Sequence, residues 1–155
     1  IFQFKDYFFN DAVLAKNDIA RMIYLRAELD SEHIYNISGD GIIISTPLGS
    51  TAYSMAAGGP IVHPDVKGLV LTPICPHSLI HRPFVVPDTA PICLKISPPH
   101  HSVTLTLDGQ VALNVDDQDV VLINSAKVKK VQLIKNPERS YFETIREKFI
   151  FSKRE

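Results

Sequence analysis

Between residues 68 and 134 the chain never runs far without a turn-former: short apolar segments at 68–72, 84–86, 91–97, 102–107, 110–115, 119–124 and 127–134 are separated by Pro, Gly, Asp and Asn. Segments of that length suit strands and are too short for core helices. Upstream, RMIYLRAELD (21–30) sets Met22, Tyr24, Arg26 and Glu28 against Ile23, Leu25, Ala27 and Leu29, the period-2 alternation of a half-buried strand. Asp30-Ser31-Glu32 then supplies turn residues before HIYNIS, so 21–38 reads as a β-hairpin. A strand with one apolar face must bury it against a second layer, and many such strands predict a mainly β, two-layer, sandwich-like domain.

Two stretches depart from the pattern. SYFETIREKFI (140–150) opens with Ser140, carries Glu143 at the spacing of a capping box, and sets Phe142, Ile145 and Phe149 on one helical face, which predicts an amphipathic C-terminal helix. GDGIIISTPLGSTAYSMAAGGPIVHP (39–64) begins with Ile42, Ile43 and Ile44 as a buried strand. Pro47 and Gly49 then turn the chain, Ser50 or Thr51 is placed to cap a short helix through AYSMAA, and Gly58-Gly59-Pro60 ends it.

Composition bounds what such a domain can do. At 155 residues and 45% hydrophobic content there is material for one domain with a sizeable core. The 16 Lys and Arg balance 17 Asp and Glu, a net charge of −1, which argues against the basic surface that nucleic-acid binding needs. No apolar run approaches the roughly 20 residues of a membrane span, and no signal segment opens the chain, so a soluble, cytoplasmic protein with no membrane partner is expected. Cys75 and Cys93 form no CxxC pair and are too few for a disulfide framework, so both are expected as reduced thiols. The start at Ile1, running directly into strand-like sequence, reads as a piece of a longer chain.

Residues 39–64 carry the candidate chemistry. A strand, a Gly-containing turn and a capped helix start would leave several backbone N–H groups aimed at one spot, with the hydroxyls of Thr46, Ser50 and Thr51 beside them. Such a spot suits a polar or anionic ligand; equally, Ser50 could cap a short helix within the core, and spacing alone leaves both readings open. No Lys follows Gly49 as in a phosphate-binding P-loop, and neither GxGxxG nor G-x-S-x-G is present in the stretch.

The string NISGDGIIISTPLGSTAYSMAAGGPIVHP, followed by LTPICPHSL and RPFVVP, resembles the C-terminal domain of the NAD kinases. FFNDAV upstream and LDGQ and SYFETIREKF downstream extend the resemblance to essentially the whole chain, 1–155. It implies a β-rich domain carrying most of an NAD site, partnered by an N-terminal α/β domain that bears a Gly-Gly-Asp-Gly-Thr motif. That motif is not found here: Gly39-Asp40-Gly41 and Asp108-Gly109-Gln110 lack both the preceding Gly pair and the Thr. The aspartate that the family places at the reacting hydroxyl is therefore missing, and no catalytic residue is assigned to this chain.

The binding residues carry over one at a time. Asn10-Asp11 matches the family's Asn-acid pair, implying adenine recognition by the amide, which both donates and accepts, and ribose recognition by the carboxylate. Thr51, Ala52 and Tyr53 match its Thr-Ala-Tyr at the adenine end, while Leu48 departs from the usual Thr or Ser. Asp40 matches an acid reaching the nicotinamide half, often from a neighbouring subunit, and Cys75 and His77 fall where the family lines that end. Thr46, Gly49, Ser50, Asp108 and Gly109 would line the site, although an Asp-Gly between strands is on its own a hairpin turn. His100-His101 reads as a solvated loop, and no His or Cys has metal-ligand spacing.

What the resemblance implies overall is transfer of the γ-phosphoryl of ATP, with Mg²⁺, to the 2′-hydroxyl of NAD's adenosine ribose, in a homo-oligomer. The isolated chain would hold NAD without phosphorylating it. A non-catalytic dinucleotide-binding module and a lipid-kinase relative are the alternatives; TPLGSTAY and TPICPHS weigh against the second.

Overall fold

Short antiparallel strands, paired across two sheets, satisfy the turn-rich pattern. The computed structural model describes residues 4–18, 21–78, 80–98, 102–127 and 131–150, in two units, Ile1–Ser125 and Ala126–Glu155. In the first unit β1 (Asp11–Lys16), β4 (Gly41–Ser45), β5 (Gly68–Ile74), β6 (Phe84–Pro87), β8 (Val103–Leu107) and β9 (Val111–Val115) form one sheet in the order β6-β5-β4-β1-β8-β9. The strands β2 (Ile23–Leu29), β3 (Glu32–Gly39), β7 (Ile92–Ser97) and β10 (Val120–Ile123) form the other, in the order β10-β7-β2-β3. Ala12, Leu14, Ile42, Ile44, Leu71 and Val103 of the first sheet meet Ile23, Leu25, Ile37, Ile92 and Leu94 of the second in one buried core, so the fold is the expected sandwich.

Local chemistry accounts for the strands that were legible. In β2, Ile23, Leu25 and Ala27 are buried while Tyr24 and Arg26 face solvent. The turn into β3 uses Asp30 and Ser31 at φ 48° and 67°, the two positive values of a tight hairpin. A bulge between Ala27 and Glu28 breaks the alternation, so Glu28 is also buried, its carboxylate held by Arg26 Nε at 2.6 Å and Lys95 Nζ at 3.2 Å. All five residues of β4 are buried, because its far face is covered as well: Ile43 packs with Val13, Ile74 and Ala57.

One expected strand is absent. Residues 131–134 form no strand, and Val131 and Ile134 are largely exposed, so no buried face holds that segment to a sheet; residues 128–130 of the same expectation, like His100 and His101, lie outside the described residues. In the second unit, α2 (Tyr141–Ile145) begins at the Ser140–Glu143 capping box as expected. It then widens into a π-helical turn, Arg146–Ile150, which takes Phe149 off a strict helical stripe. Ile145 is buried, while Phe142 is 64% exposed.

Candidate functional site

The sandwich places one pocket at the start of β1, on the face of the larger sheet away from the core. Asn10, Asp11 and Val13 form its floor, Thr106, Asp108 and Gly109 of β8 and the following turn form one wall, and Ala52 and Tyr53 form the other. Its volume is about 440 Å³, within the range of small-molecule sites. Tyr53, 47% exposed, opens α1 (Tyr53–Ala56) and presents a ring that a flat ligand could cover.

Asp108 holds the floor in place. Its carboxylate accepts the backbone N–H groups of Phe9 (2.7 Å), Asn10 (2.7 Å) and Asp11 (3.0 Å), while its own N–H donates to Asp11 O at 2.9 Å. Asp108 and Gly109 supply the positive φ values, 49° and 67°, of the β8–β9 hairpin, so the hairpin and site readings of this pair describe one structure. The carbonyl of Asn10 accepts from Thr46 N at 2.9 Å, so both Asn10 backbone groups are engaged, and among the described residues its carboxamide has no hydrogen-bond partner. Asp11 is buried, and burial first, then the neighbouring Asp108 charge, raises its carboxyl above the usual carboxylate value.

The turn after β4 corrects two expectations. Ser50 and Thr51 belong to a 3₁₀ turn, Gly49–Thr51, and cap no helix; the residue before α1 is Ala52, without a side-chain cap. Ser50 Oγ instead donates to Pro47 O at 2.6 Å and accepts from Val62 N at 2.9 Å, tying two loops together, and Thr51 Oγ1 donates to Leu48 O at 3.2 Å. Nor does the turn present a cluster of unpaired amides: the N–H groups of Thr46, Gly49, Ser50, Thr51 and Ala52 are all bonded to Asn10 or within the turn. A 3₁₀ turn consumes its amides at i→i+3, which leaves few for a ligand. Thr46 is the joint, its hydroxyl donating to Phe9 O at 2.7 Å and accepting from Gly49 N at 3.0 Å. At Gly49 a Cβ would lie 1.9 Å from Asn10 O, so only glycine lets the turn press against the pocket floor.

Asp40, Cys75 and His77 gather elsewhere. Asp40 N donates to Ile74 O at 2.9 Å, His77 N to Ser38 O at 2.8 Å, and the Asp40 carboxylate pairs with Lys16 Nζ at 2.7 Å. Lys16 ends β1 and Asp11 begins it, so this group stands about 16 Å from the pocket floor, at about 3.3 Å per residue. Cys75, exposed, takes φ 43° at the turn.

A family model of the ATP-NAD kinase C-terminal domain matches residues 9–136. The chain belongs to this family. It is 45% identical over 145 residues to the NAD kinase of Solibacter usitatus (strain Ellin6076), covering 94% of this chain and 50% of that protein. It is 42% identical over 143 residues to the NAD kinase of Desulfatibacillum aliphaticivorans, covering 92% and 50%. The chain thus spans about half the length of the curated relatives it matches. Among solved structures, a yeast NADH kinase complexed with NADH aligns at a TM-score of 0.78 and 33% identity, over 92% of this chain and 42% of that one. An NAD kinase from Archaeoglobus fulgidus in complex with ATP aligns at 0.70 and 28%, over 77% and 46%.

Within this NAD kinase domain, Asn10, Asp11, Ala52, Tyr53, Asp108 and Gly109 of the expected site line the pocket. Thr46, Gly49, Ser50 and Thr51 brace it from the adjoining turn, and Asp40, Cys75 and His77 lie at the far end of β1. Val13, Thr106 and Lys16 were not anticipated. The period of two from Asp11 to Val13, and backward from Asp108 to Thr106, was the signal that could have found the first two.

Proposed function

We propose that this chain is the dinucleotide-holding half of an NAD kinase, which transfers the γ-phosphoryl of ATP to the 2′-hydroxyl of NAD's adenosine ribose. The supporting observation is the convergence of a carboxamide (Asn10), a buried carboxylate (Asp11) and an exposed aromatic ring (Tyr53) on one pocket of a chain from this family. Each suits part of an adenosine. The carboxamide can donate to and accept from the adenine edge, the ring can stack on it, and the carboxylate can accept from ribose hydroxyls. Thr51 and Ala52 hold the backbone that carries Tyr53, and Thr46, Gly49, Ser50, Asp108 and Gly109 keep the pocket walls in register. Asp40, Cys75 and His77 serve the nicotinamide half, in a homo-oligomer whose neighbouring subunit can share that end.

Phosphoryl transfer depends on positioning and on neutralising charge. This chain would supply the first by fixing the ribose so that its 2′-hydroxyl meets the donor. The described residues contain no group of three or more His, Cys, Asp or Glu side chains able to hold a metal ion. Mg²⁺ bound with a nucleotide takes one or two carboxylates together with phosphate oxygens, so the ion is assigned, with ATP, to the Gly-Gly-Asp-Gly-Thr half of a parent protein. A cytoplasmic setting goes with this activity, and the chain alone is expected to leave NAD unphosphorylated.

The test is Asn10→Ala in the full-length parent. Leaving adenine polar groups unpaired costs about 1–3 kcal/mol, so kcat/KM for NAD should fall about 5- to 150-fold while the KM of ATP stays put. Unaltered NAD kinetics would show that adenine is held elsewhere.

A further inference from the structure

Asp11 stands between two neighbours of opposite consequence. On the β8 side is Asp108, a like charge whose carboxylate is turned to the amides of 9–11. On the β4 side the strand register pairs Asp11 with Ser45. Paired residues of antiparallel strands project to the same face with Cβ atoms about 4.5–5.5 Å apart. Their neighbours fix which face: Val13 and Ile43 pack with Ile74 on the pocket side, while Ala12, Leu14, Ile42 and Ile44 point into the core.

Ser45 is completely buried, and among the described residues its Oγ has no hydrogen-bond partner. Other buried hydroxyls near it are satisfied. Ser50 Oγ is bonded to Pro47 and Val62, and Ser54 Oγ and Thr72 Oγ1 bond each other at 2.8 Å. A hydroxyl that gives up water without gaining a partner destabilises the fold, and alanine would fill the same volume without that cost. The group therefore calls for a use outside the resting structure, and the nearest one in register is the carboxylate of the pocket floor.

We infer that Ser45 is a positioning residue for the dinucleotide: in the occupied pocket its hydroxyl donates to one Asp11 carboxylate oxygen, leaving the other to accept from a ribose hydroxyl. The inference rests on reading the pocket as the NAD site. A carboxylate has room for several donors on its two oxygens, so Ser45 and the ligand do not compete. Ser45 also offsets Asp108, the charged group that faces Asp11 from the β8–β9 turn, and so keeps the acceptor ionised beside a like charge. Without Ser45, Asp11 could turn toward solvent, which takes the acceptor away, or hold its proton, which weakens it.

The test uses the full-length parent carrying Ser45→Ala, Asp11→Asn or both. NAD affinity is read by calorimetry, KM and kcat by assay, and stability by urea unfolding. Ser45→Ala should weaken NAD binding about tenfold through KM, leave the KM of ATP unchanged, and unfold at the wild-type midpoint or above. In the Asp11→Asn background, where only one neutral acceptor oxygen is left, its further cost should shrink to about twofold or less. Ser45→Ala binding NAD within twofold of wild type overturns the inference, as does a loss that persists undiminished beside Asp11→Asn, or one that tracks a lowered unfolding midpoint. A wild-type protein that binds no NAD overturns the functional reading and this inference with it.

Discussion

Replacing Asp108 by asparagine keeps the side chain's shape and removes its charge. Asparagine has one acceptor oxygen. Turned to Asn10 N and Asp11 N, where Asp108 Oδ1 sits at 2.7 and 3.0 Å, it leaves its NH₂ facing the Phe9 N–H that Oδ2 now receives at 2.7 Å. One charge-assisted bond is lost and two become neutral ones. A hydrogen bond to a charged group contributes about 1.5–3 kcal/mol and a neutral one about 1; at the lower figure, which suits these exposed and half-buried bonds, the gross loss is about 2.5 kcal/mol. Two effects reduce it. Water can reach the Phe9 amide, and removing the charge relieves the repulsion that helps raise the Asp11 carboxyl. A net destabilisation of about 2 kcal/mol remains, or about 4–8 °C in Tm for a domain of this size. Thermal and urea unfolding of the wild-type chain and Asp108→Asn at pH 7, followed by circular dichroism, would read this directly. A variant melting within 1 °C (about 0.3–0.5 kcal/mol) of wild type would show that these bonds do not hold the floor of the pocket.

Asp11→Asn should act in the opposite direction on stability. Because burial and Asp108 raise the Asp11 carboxyl, the folded chain binds that proton more tightly than the unfolded one. The contribution is full below the ordinary value of 3.8 and is lost as pH rises through the raised folded value, so at neutral pH the ionised carboxylate weakens the fold. Asp11→Asn should thus melt higher than wild type at pH 7 and bind NAD more weakly, and melting curves at pH 4 and 7 showing no pH-dependent difference would contradict this. Gly49→Ala places a methyl against the Asn10 backbone, where no side chain can rotate away. It should cost about 3 kcal/mol and abolish NAD binding by displacing the pocket floor, which urea unfolding and an NAD titration would check.

The strands were legible because their signals are local: alternation in β2, the three isoleucines of β4, and Asp30-Ser31 and Asp108-Gly109 at the positive-φ turns. The bulge at Glu28 was not, because the ion pairs that accommodate it come from β7 as well as β2. Residues 131–134 carry apolar side chains but gain no covering layer, which composition does not reveal. At the site, Asn10, Asp11 and Tyr53 were found by resemblance to a family. The misjudged part was the turn at 46–52, where hydroxyls that read as helix caps serve as loop ties. Sequence spacing shows that Ser50 and Thr51 can bond a nearby amide or carbonyl; which one depends on Val62, brought in by the fold. Ser45 is the extreme case, since nothing in STPLGS distinguishes a satisfied hydroxyl from an orphaned one.

We propose that NAD's adenosine lies in the pocket between β1, the β8–β9 turn and α1. Adding NAD to the isotopically labelled chain and following backbone amide shifts tests it residue by residue. Saturable shifts are expected at Asn10, Asp11, Tyr53, Thr106 and Gly109, with Tyr24, Val120 and Leu122 of the other sheet unmoved. Shifts centred on that other sheet, or none at millimolar NAD, would contradict it.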